Sequence, residues 1–222
     1  MQRQNIIDLS PIELEEFCLE LGLKPFKAKQ IWNWIYCFGK TNFQEMTNLD
    51  KKTRELLNGC SVIFRPKINN VHKSSDGTIK RLLEMDDKSL IETVFIPQGK
   101  RGTICISSQV GCTLNCTFCN TGTQKLVRNL TAYEILGQIF TVIDHLNDWP
   151  MSKTNRKVTN LVMMGMGEPL LNYENVKKAL KIVMSSNGLC ISKRRITMST
   201  SGIVPMIVQC GKDLDVNLAI SL

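Results

Sequence analysis

The chain has 222 residues, 43% of them hydrophobic, enough for one large domain or a domain and a half built on a true core. No apolar run reaches membrane-spanning length and the opening MQRQNIIDLS lacks the charged-then-apolar pattern of a secretory leader, so a cytoplasmic protein with no membrane partner is expected, and its nine cysteines are not expected to form a disulfide framework. A net charge of +8, spread along the chain rather than held in a tail, favours a polyanionic partner such as nucleic acid without requiring one.

In chain order, the first element is a helix that opens at Ser10 as N-cap, with Pro11 at its first position and Glu13 in its first turn, and that ends near Gly22. A second runs from about Pro25 to Cys37, with Phe26, Ile31, Trp34, Ile35 and Phe38 as its apolar stripe. A third covers Asp50 to Leu57 and stops before Gly59. Lys24, Lys27, Lys29, Lys51, Lys52 and Arg54 decorate this helical unit, either as a solvated face or as an RNA-contacting one. The unit 1–60 is expected to be the more autonomous part of the chain.

The period then changes. Residues 78–84 and 90–96 read as strands joined by a turn at 86–89. From there strands at 103–108, 158–164, 194–199 and 215–221 alternate with helices near 131–146, 173–186 and 203–210, the first of these opened by a capping box of Thr131 and Glu134. Strands alternating with helical crossovers predict a parallel sheet.

Cys112, Cys116 and Cys119 directly follow the first of those strands, spaced so that three thiolates on a tight loop can converge. A cubic [4Fe–4S] cluster held by three thiolates keeps one iron open. A structural zinc needs a fourth ligand; Cys105 is the one nearby candidate and lies inside a strand pattern, while His72 and His145 stand outside ligand spacing. Cys18, Cys37, Cys60, Cys190 and Cys210 have no such spacing and read as small hydrophobes. Two more strand ends carry polar, glycine-bearing sequence: Gly165 to Pro169, with Gly167 and Glu168, and Ser199 to Gly202. Ligands of parallel α/β folds sit at the carboxyl ends of strands, so these point to one site. Taken alone, Gly167 and Glu168 read better as part of a Gly-Pro turn with a solvated carboxylate. Glu92 shares a strand face with Leu90, Val94 and Ile96, where burial would make it a useful proton acceptor; an edge carboxylate facing water is the alternative. Cys105, between Ile104 and Ile106, reads on its own as core.

The cysteine motif, with Phe118 in its aromatic position, resembles the signature of the radical S-adenosylmethionine superfamily. Segments 25–36, 91–94, 105–112, 164–169 and 199–202 closely resemble the RlmN-type adenine-C2 methyltransferases of ribosomal and transfer RNA, a resemblance that covers the chain from about residue 10. It implies an α/β fold, an N-terminal helical accessory domain followed by a truncated parallel (βα) partial barrel of the radical S-adenosylmethionine type. The implied parts are residues 1–70 as accessory, RNA-contacting domain, 71–99 as a β-hairpin segment and 100–222 as the barrel. It further implies a [4Fe–4S] cluster on Cys112, Cys116 and Cys119, S-adenosylmethionine contacts from Gly167, Glu168, Ser199, Ser221 and Leu222, Glu92 as proton acceptor, and Cys105 as a cysteine that forms a transient disulfide to release product. rRNA and tRNA are the implied substrates, and an external electron donor the implied partner. A cluster and S-adenosylmethionine held there would supply one-electron cleavage of a carbon–sulfur bond.

The family's methyl-accepting cysteine falls beyond the equivalent of Leu222, and the fourth barrel strand is the last in this sequence. The chain is therefore expected to be a C-terminally truncated member, inactive in methyl transfer alone: either a fragment of a split or decayed gene, or a chain whose barrel a separate polypeptide completes. A radical enzyme acting on a protein or small molecule and a non-catalytic RNA-binding remnant are the alternative functions.

Overall fold

The structure, a computed structural model, describes residues 3–221 apart from 115, 117, 118, 151 and 153. At the N-terminus, β1 (Gln4–Asn5) pairs in parallel with β2 (Ser61–Val62), and between them lie α1 (Pro11–Glu20), α2 (Phe26–Tyr36) and α3 (Lys51–Cys60). Local chemistry sets the helix starts. The Glu13 amide donates to Ser10 Oγ at 3.2 Å while the Ser10 amide donates to Glu13 Oε2 at 2.6 Å, the reciprocal capping box expected. Asp50 caps α3 by accepting from the Thr53 amide at 2.9 Å.

Two expectations here need correction. The buried stripe of α2 is Ala28, Ile31, Trp32, Ile35 and Tyr36, whereas Phe26 and Phe38 are 50% and 40% exposed. The buried face is the one that meets the rest of the chain: Trp32 Nε1 donates to the Asn187 carbonyl at 2.7 Å, and the Tyr36 hydroxyl donates to the Ile7 carbonyl. The helix α3 also continues through Gly59 to Cys60, because an exposed glycine costs a helix only about 1 kcal/mol and the cap at Asp50 together with buried Leu57 outweighs that.

The remainder is one seven-stranded mixed sheet. Its strands are β3 (Lys67–Lys73), β4 (Ile79–Glu84), β5 (Leu90–Gln98) and β6 (Arg101–Cys105), followed after a short ladder of β7 (Gln109–Val110) and β8 (Arg128–Asn129) by β9 (Asn160–Met163), β10 (Ile196–Thr200) and β11 (Asn217–Ile220). The order across the sheet is β11-β10-β9-β6-β5-β4-β3. The pairs β6–β9, β9–β10 and β10–β11 are parallel, and β3, β4 and β5 extend the same sheet antiparallel from β6. Strands on either side of residues 99 and 100 are thus hydrogen-bonded neighbours. The crossover helices are α4 (Ala132–His145), α5 (Tyr173–Met184) and α6 (Val204–Asp213), close to where the sequence places them.

Alternation along the strands divides the sheet into two faces. Ile91, Phe95, Ile104, Leu161, Ile196 and Met198 are buried and form the helix-covered face. Residues paired across the other face run Val94–Cys105–Val162–Thr197–Asn217 and are half-buried or exposed. The helix α4 is buried nearly all round because it lies between the sheet and the accessory helices: Phe140 packs 5.5 Å from Tyr36, and the Arg65 guanidinium lies 4.4 Å over the Phe140 ring. One apolar core runs without a break from Ile6 to Leu214.

Candidate functional site at the carboxyl ends of the parallel strands

The ladder of β7 and β8 clamps the stem of the cysteine loop, pairing Gln109 with Asn129 and Val110 with Arg128. Inside the loop the chain folds tightly on itself: the Cys119 amide donates to the Cys116 carbonyl at 3.0 Å and the Gly122 amide to the Cys119 carbonyl at 3.0 Å. The Leu114 amide donates to Cys112 Sγ at 3.4 Å, which fixes that sulfur at the start of the loop. Cys112, Cys116 and Cys119 are half-buried, free of disulfides, and line one cavity of about 280 Å³.

The opposite wall of that cavity is made by two other strand ends. After β9 comes Gly167, at φ +91°, where a side chain would bring its Cβ to 2.4 Å from Gln109 Cβ; only glycine allows this backbone to lie against the loop stem. Next to it Glu168 is 3% exposed. Its Oε1 accepts from the Leu170 amide at 3.0 Å, and its Oε2 accepts from the Ser201 amide at 2.9 Å and the Ser201 hydroxyl at 3.3 Å. A carboxylate has about four acceptor positions, so three are taken and one remains for a donor in the cavity. Ser199 Oγ lies 3.4 Å from Ser221 Oγ, and both side chains line the cavity. A turn with a solvated glutamate is therefore not what forms here.

Of the residues singled out in the sequence, Cys112, Cys116, Cys119, Gly167, Glu168, Ser199 and Ser221 are brought to this one cavity. Leu222 and Phe118 lie outside the described residues. Glu92 and Cys105 do not line it. They sit nearby on the uncovered sheet face, Cys105 beside Val94 on β5, two residues from Glu92. The burial expected of Glu92 is not found: its side chain is 45% exposed and accepts from Lys80 Nζ at 2.9 Å, because the face it shares with Leu90, Val94 and Ile96 carries no helix. Cys105 is half-buried rather than core, and that burial pushes its thiol above the ordinary value.

Sequence reasoning missed the residues that join these parts. Ser107 Oγ donates to the Glu92 carbonyl at 2.7 Å and accepts from the Met166 amide at 2.9 Å, so one hydroxyl links β5 to the glycine turn. Buried Gln138 on α4 accepts from the Ser107 amide at 2.8 Å and from the Thr93 hydroxyl at 3.0 Å, and returns a bond to the Ser107 carbonyl at 3.0 Å. Asn172 Nδ2 donates to the Ser108 and Leu130 carbonyls, each at 2.7 Å. The detectable signal was Gln138 alone, a polar residue within the apolar run of α4.

The donor set fits a cluster. Three thiols without histidine or a fourth cysteine share a wall, one already takes an amide hydrogen, and an acceptor-rich wall faces them. Among the described residues no three His, Cys, Asp or Glu side chains stand close enough to hold a single metal ion.

Comparison with known proteins agrees. Residues 106–217 match the family model described as Radical SAM superfamily, and residues 4–63 match that described as Ribosomal RNA large subunit methyltransferase N-terminal domain. The chain belongs to the radical SAM superfamily, in its RlmN branch. It is 50% identical over 219 residues to a dual-specificity RNA methyltransferase RlmN of Rhodospirillum rubrum, covering 98% of this chain and 51% of that protein. It is 53% identical over 209 residues to the protein of the same description from Rhizorhabdus wittichii, covering 94% and 52%. The chain thus spans about half the length of the curated relatives it matches. A radical SAM methyltransferase from Sphaerobacter thermophilus superposes with a TM-score of 0.90 at 37% identity, over 99% of this chain and 63% of that one. The sheet with its three crossover helices is accordingly a radical SAM partial barrel, and the cofactors of the superfamily branch are a [4Fe–4S] cluster and S-adenosylmethionine.

Proposed function

We propose that this chain carries the cluster and cofactor site of an RNA methyltransferase acting on C2 of an adenosine in large-subunit rRNA and in tRNA. The observation that carries the reading is the meeting of three strand ends on one cavity, thiols on one wall and Glu168, Ser199 and Ser221 on the other. Cys112, Cys116 and Cys119 hold the cluster. Glu168, with one carboxylate position left, takes the cofactor's ammonium group, Gly167 lets the backbone lie close, and Ser199 and Ser221 offer hydroxyls, with Leu222 completing these contacts. The bound pair supplies one-electron cleavage of a carbon–sulfur bond.

Glu92 is the proton acceptor, aimed along the uncovered sheet face by Lys80. Cys105 is the thiol of the product-releasing disulfide. An external electron donor is needed, and the remaining part of the barrel is supplied by further polypeptide. No helix among the described residues is long and apolar enough to cross a membrane, and we place the protein in the cytoplasm with its RNA.

The test is nucleoside analysis of rRNA and tRNA from a host that lacks its own adenine-C2 methylase and expresses this chain together with the polypeptide that completes the barrel. The expected result is 2-methyladenosine in both RNAs. Reductive cleavage of S-adenosylmethionine with no 2-methyladenosine would move the enzyme to another substrate and sink the RNA reading.

A further inference from the structure

The end of the sheet away from the cysteines carries a second built feature. Lys100 and Arg101 lead into β6, Arg194 and Arg195 immediately precede β10, and Arg156 comes from the loop before β9. These five cations line a cavity of about 400 Å³ that has no Asp or Glu among the described residues of its wall. It is continuous with a second cavity of about 610 Å³ that shares Lys100, Arg101, Thr154 and Arg156 and adds Lys157. Together they make an elongated basic groove at the amino ends of the parallel strands. The five residues of β10 separate it from the cysteine cavity by about 16 Å.

The groove is held in shape by the fold. A side chain at Gly102 would place its Cβ 1.8 Å from the Lys157 carbonyl oxygen, so glycine there lets the 156–159 segment lie directly on β6. The Thr159 amide donates to the Gly102 carbonyl at 2.8 Å, and the Gly102 amide donates to Thr159 Oγ1 at 3.1 Å. Arg156 is anchored by donating to the Leu189 and Cys190 carbonyls at 2.8 and 3.1 Å, while its Nε is buried without a partner among the described residues. Burial, and after it the neighbouring Arg195 charge, lower the pKa of the Arg156 guanidinium.

The cations are also left without an ion pair, the nearest carboxylates, Asp148 and Asp215, standing farther off. Among the described residues none of Lys100, Arg101, Arg156, Arg194 and Arg195 is in an ion pair, although Lys193 next to them pairs with Asp215. Asp148, on the same segment, is already committed to the Lys157 and Val158 amides. Like charges gathered this way repel unless an anion lies among them. Arginine forks fit phosphate oxygens, and Thr154, Thr159 and Asn160 add neutral donors. Phe95 is the one aromatic side chain among the described residues of the two walls, so the lining suits a sugar–phosphate backbone rather than stacked bases.

We infer that this groove binds the phosphodiester backbone of the RNA substrate, at a stretch remote from the nucleotide presented to the cysteine cavity. The inference rests on the RNA reading of the cavity and adds a second RNA-binding surface on the opposite end of the barrel.

The experiment measures binding of an unmodified tRNA transcript to the full chain, reconstituted with its cluster, over a series of salt concentrations. Neutralising Arg101, Arg194 and Arg195 together to Gln should lower the slope of log affinity against log salt by about two to three, about one for each phosphate no longer neutralised. The matching triple Arg→Lys variant keeps the charge and should keep the slope. Iron content and S-adenosylmethionine binding should be equal in all three proteins, which separates weakened RNA binding from a damaged fold. Salt-dependent RNA binding that is unchanged in the Gln variant would overturn the groove and leave the RNA reading standing. No salt-dependent RNA binding by the unaltered protein would overturn both. Displacement of the tRNA by an equal concentration of ATP would overturn the groove's RNA assignment and give it to a small phosphorylated ligand instead.

Discussion

At the scale of single residues, the site separates what spacing reveals from what only folding brings together. Cys112, Cys116 and Cys119 lie within eight residues of one another, so their sharing one cavity was legible in the sequence. The burial of Glu168 was not, because its lock to Ser201 joins positions 33 residues apart. Glu92 shows the converse error: its apolar strand neighbours suggested burial, but the face they share is uncovered. Changing any one of the three cysteines to Ala should remove most of the iron and the visible absorbance after anaerobic reconstitution, since two thiolates hold a cluster poorly. Four irons retained in Cys116→Ala would contradict the assignment. Cys105 yields a pH prediction. Burial raises its pKa, so less of it is thiolate at neutral pH than of a free cysteine. Alkylation of Cys105, followed by peptide mass spectrometry, should be slower than for a free cysteine at neutral pH. Its rate should keep climbing at pH values where the free thiol has levelled off; a midpoint at or below that of free cysteine would disprove this.

At the scale of elements, helix starts were readable because a capping box is a matter of four residues, as at Ser10 and Thr131, where both reciprocal bonds form. The buried face of α2 was not, since Phe26 and Trp32 are equally apolar and only the neighbouring chain decides between them. The strand β3 went unread for the same kind of reason: Lys67–Lys73 is mostly polar and exposed, and it is a strand because β4 supplies the ladder. Under the sheet, Gln138 ties α4 to both β5 and the chain leading to the cysteines. Gln138→Ala leaves the Ser107 amide and carbonyl buried without that partner and should cost about 1–3 kcal/mol, seen as a lower urea midpoint. Gly102→Ala should be destabilising by about 1–3 kcal/mol through overpacking, because the atom its Cβ meets is backbone and cannot rotate away. A midpoint within error of the unaltered protein in either case would contradict these contacts.

For the molecule as a whole, the accessory helices, expected from the sequence to be the more autonomous part, share a core with the barrel. Polar contacts also cross the junction: Lys178 Nζ to Glu13 Oε1 at 3.1 Å, Arg65 Nε to Asp144 Oδ2 at 2.8 Å, and Trp32 Nε1 to the Asn187 carbonyl. Urea unfolding should therefore show one transition, with tryptophan fluorescence, which reports Trp32 and Trp34 of α2 and Trp149 beyond α4, tracking far-UV circular dichroism. Two separated transitions, with the helical signal lost last, would restore the two-unit picture. The general class, a parallel sheet with crossover helices, was legible from alternating periods; that the hairpin strands continue that sheet was not, since β5 meets β6 through backbone atoms common to any sequence.

The close approach of Gly167 to Gln109 has a consequence for how this sequence can drift over time. A side chain at 167 has no room while residue 109 carries a Cβ, yet emptying 109 removes the oxygen that takes the Glu168 amide at 2.9 Å. Each substitution alone is thus harmful, and the pair cannot be crossed by single neutral steps. Across relatives that keep this turn, the two positions should be inherited as a unit, both retained or both replaced, and a lineage that altered one alone would have to show the backbone of the turn displaced.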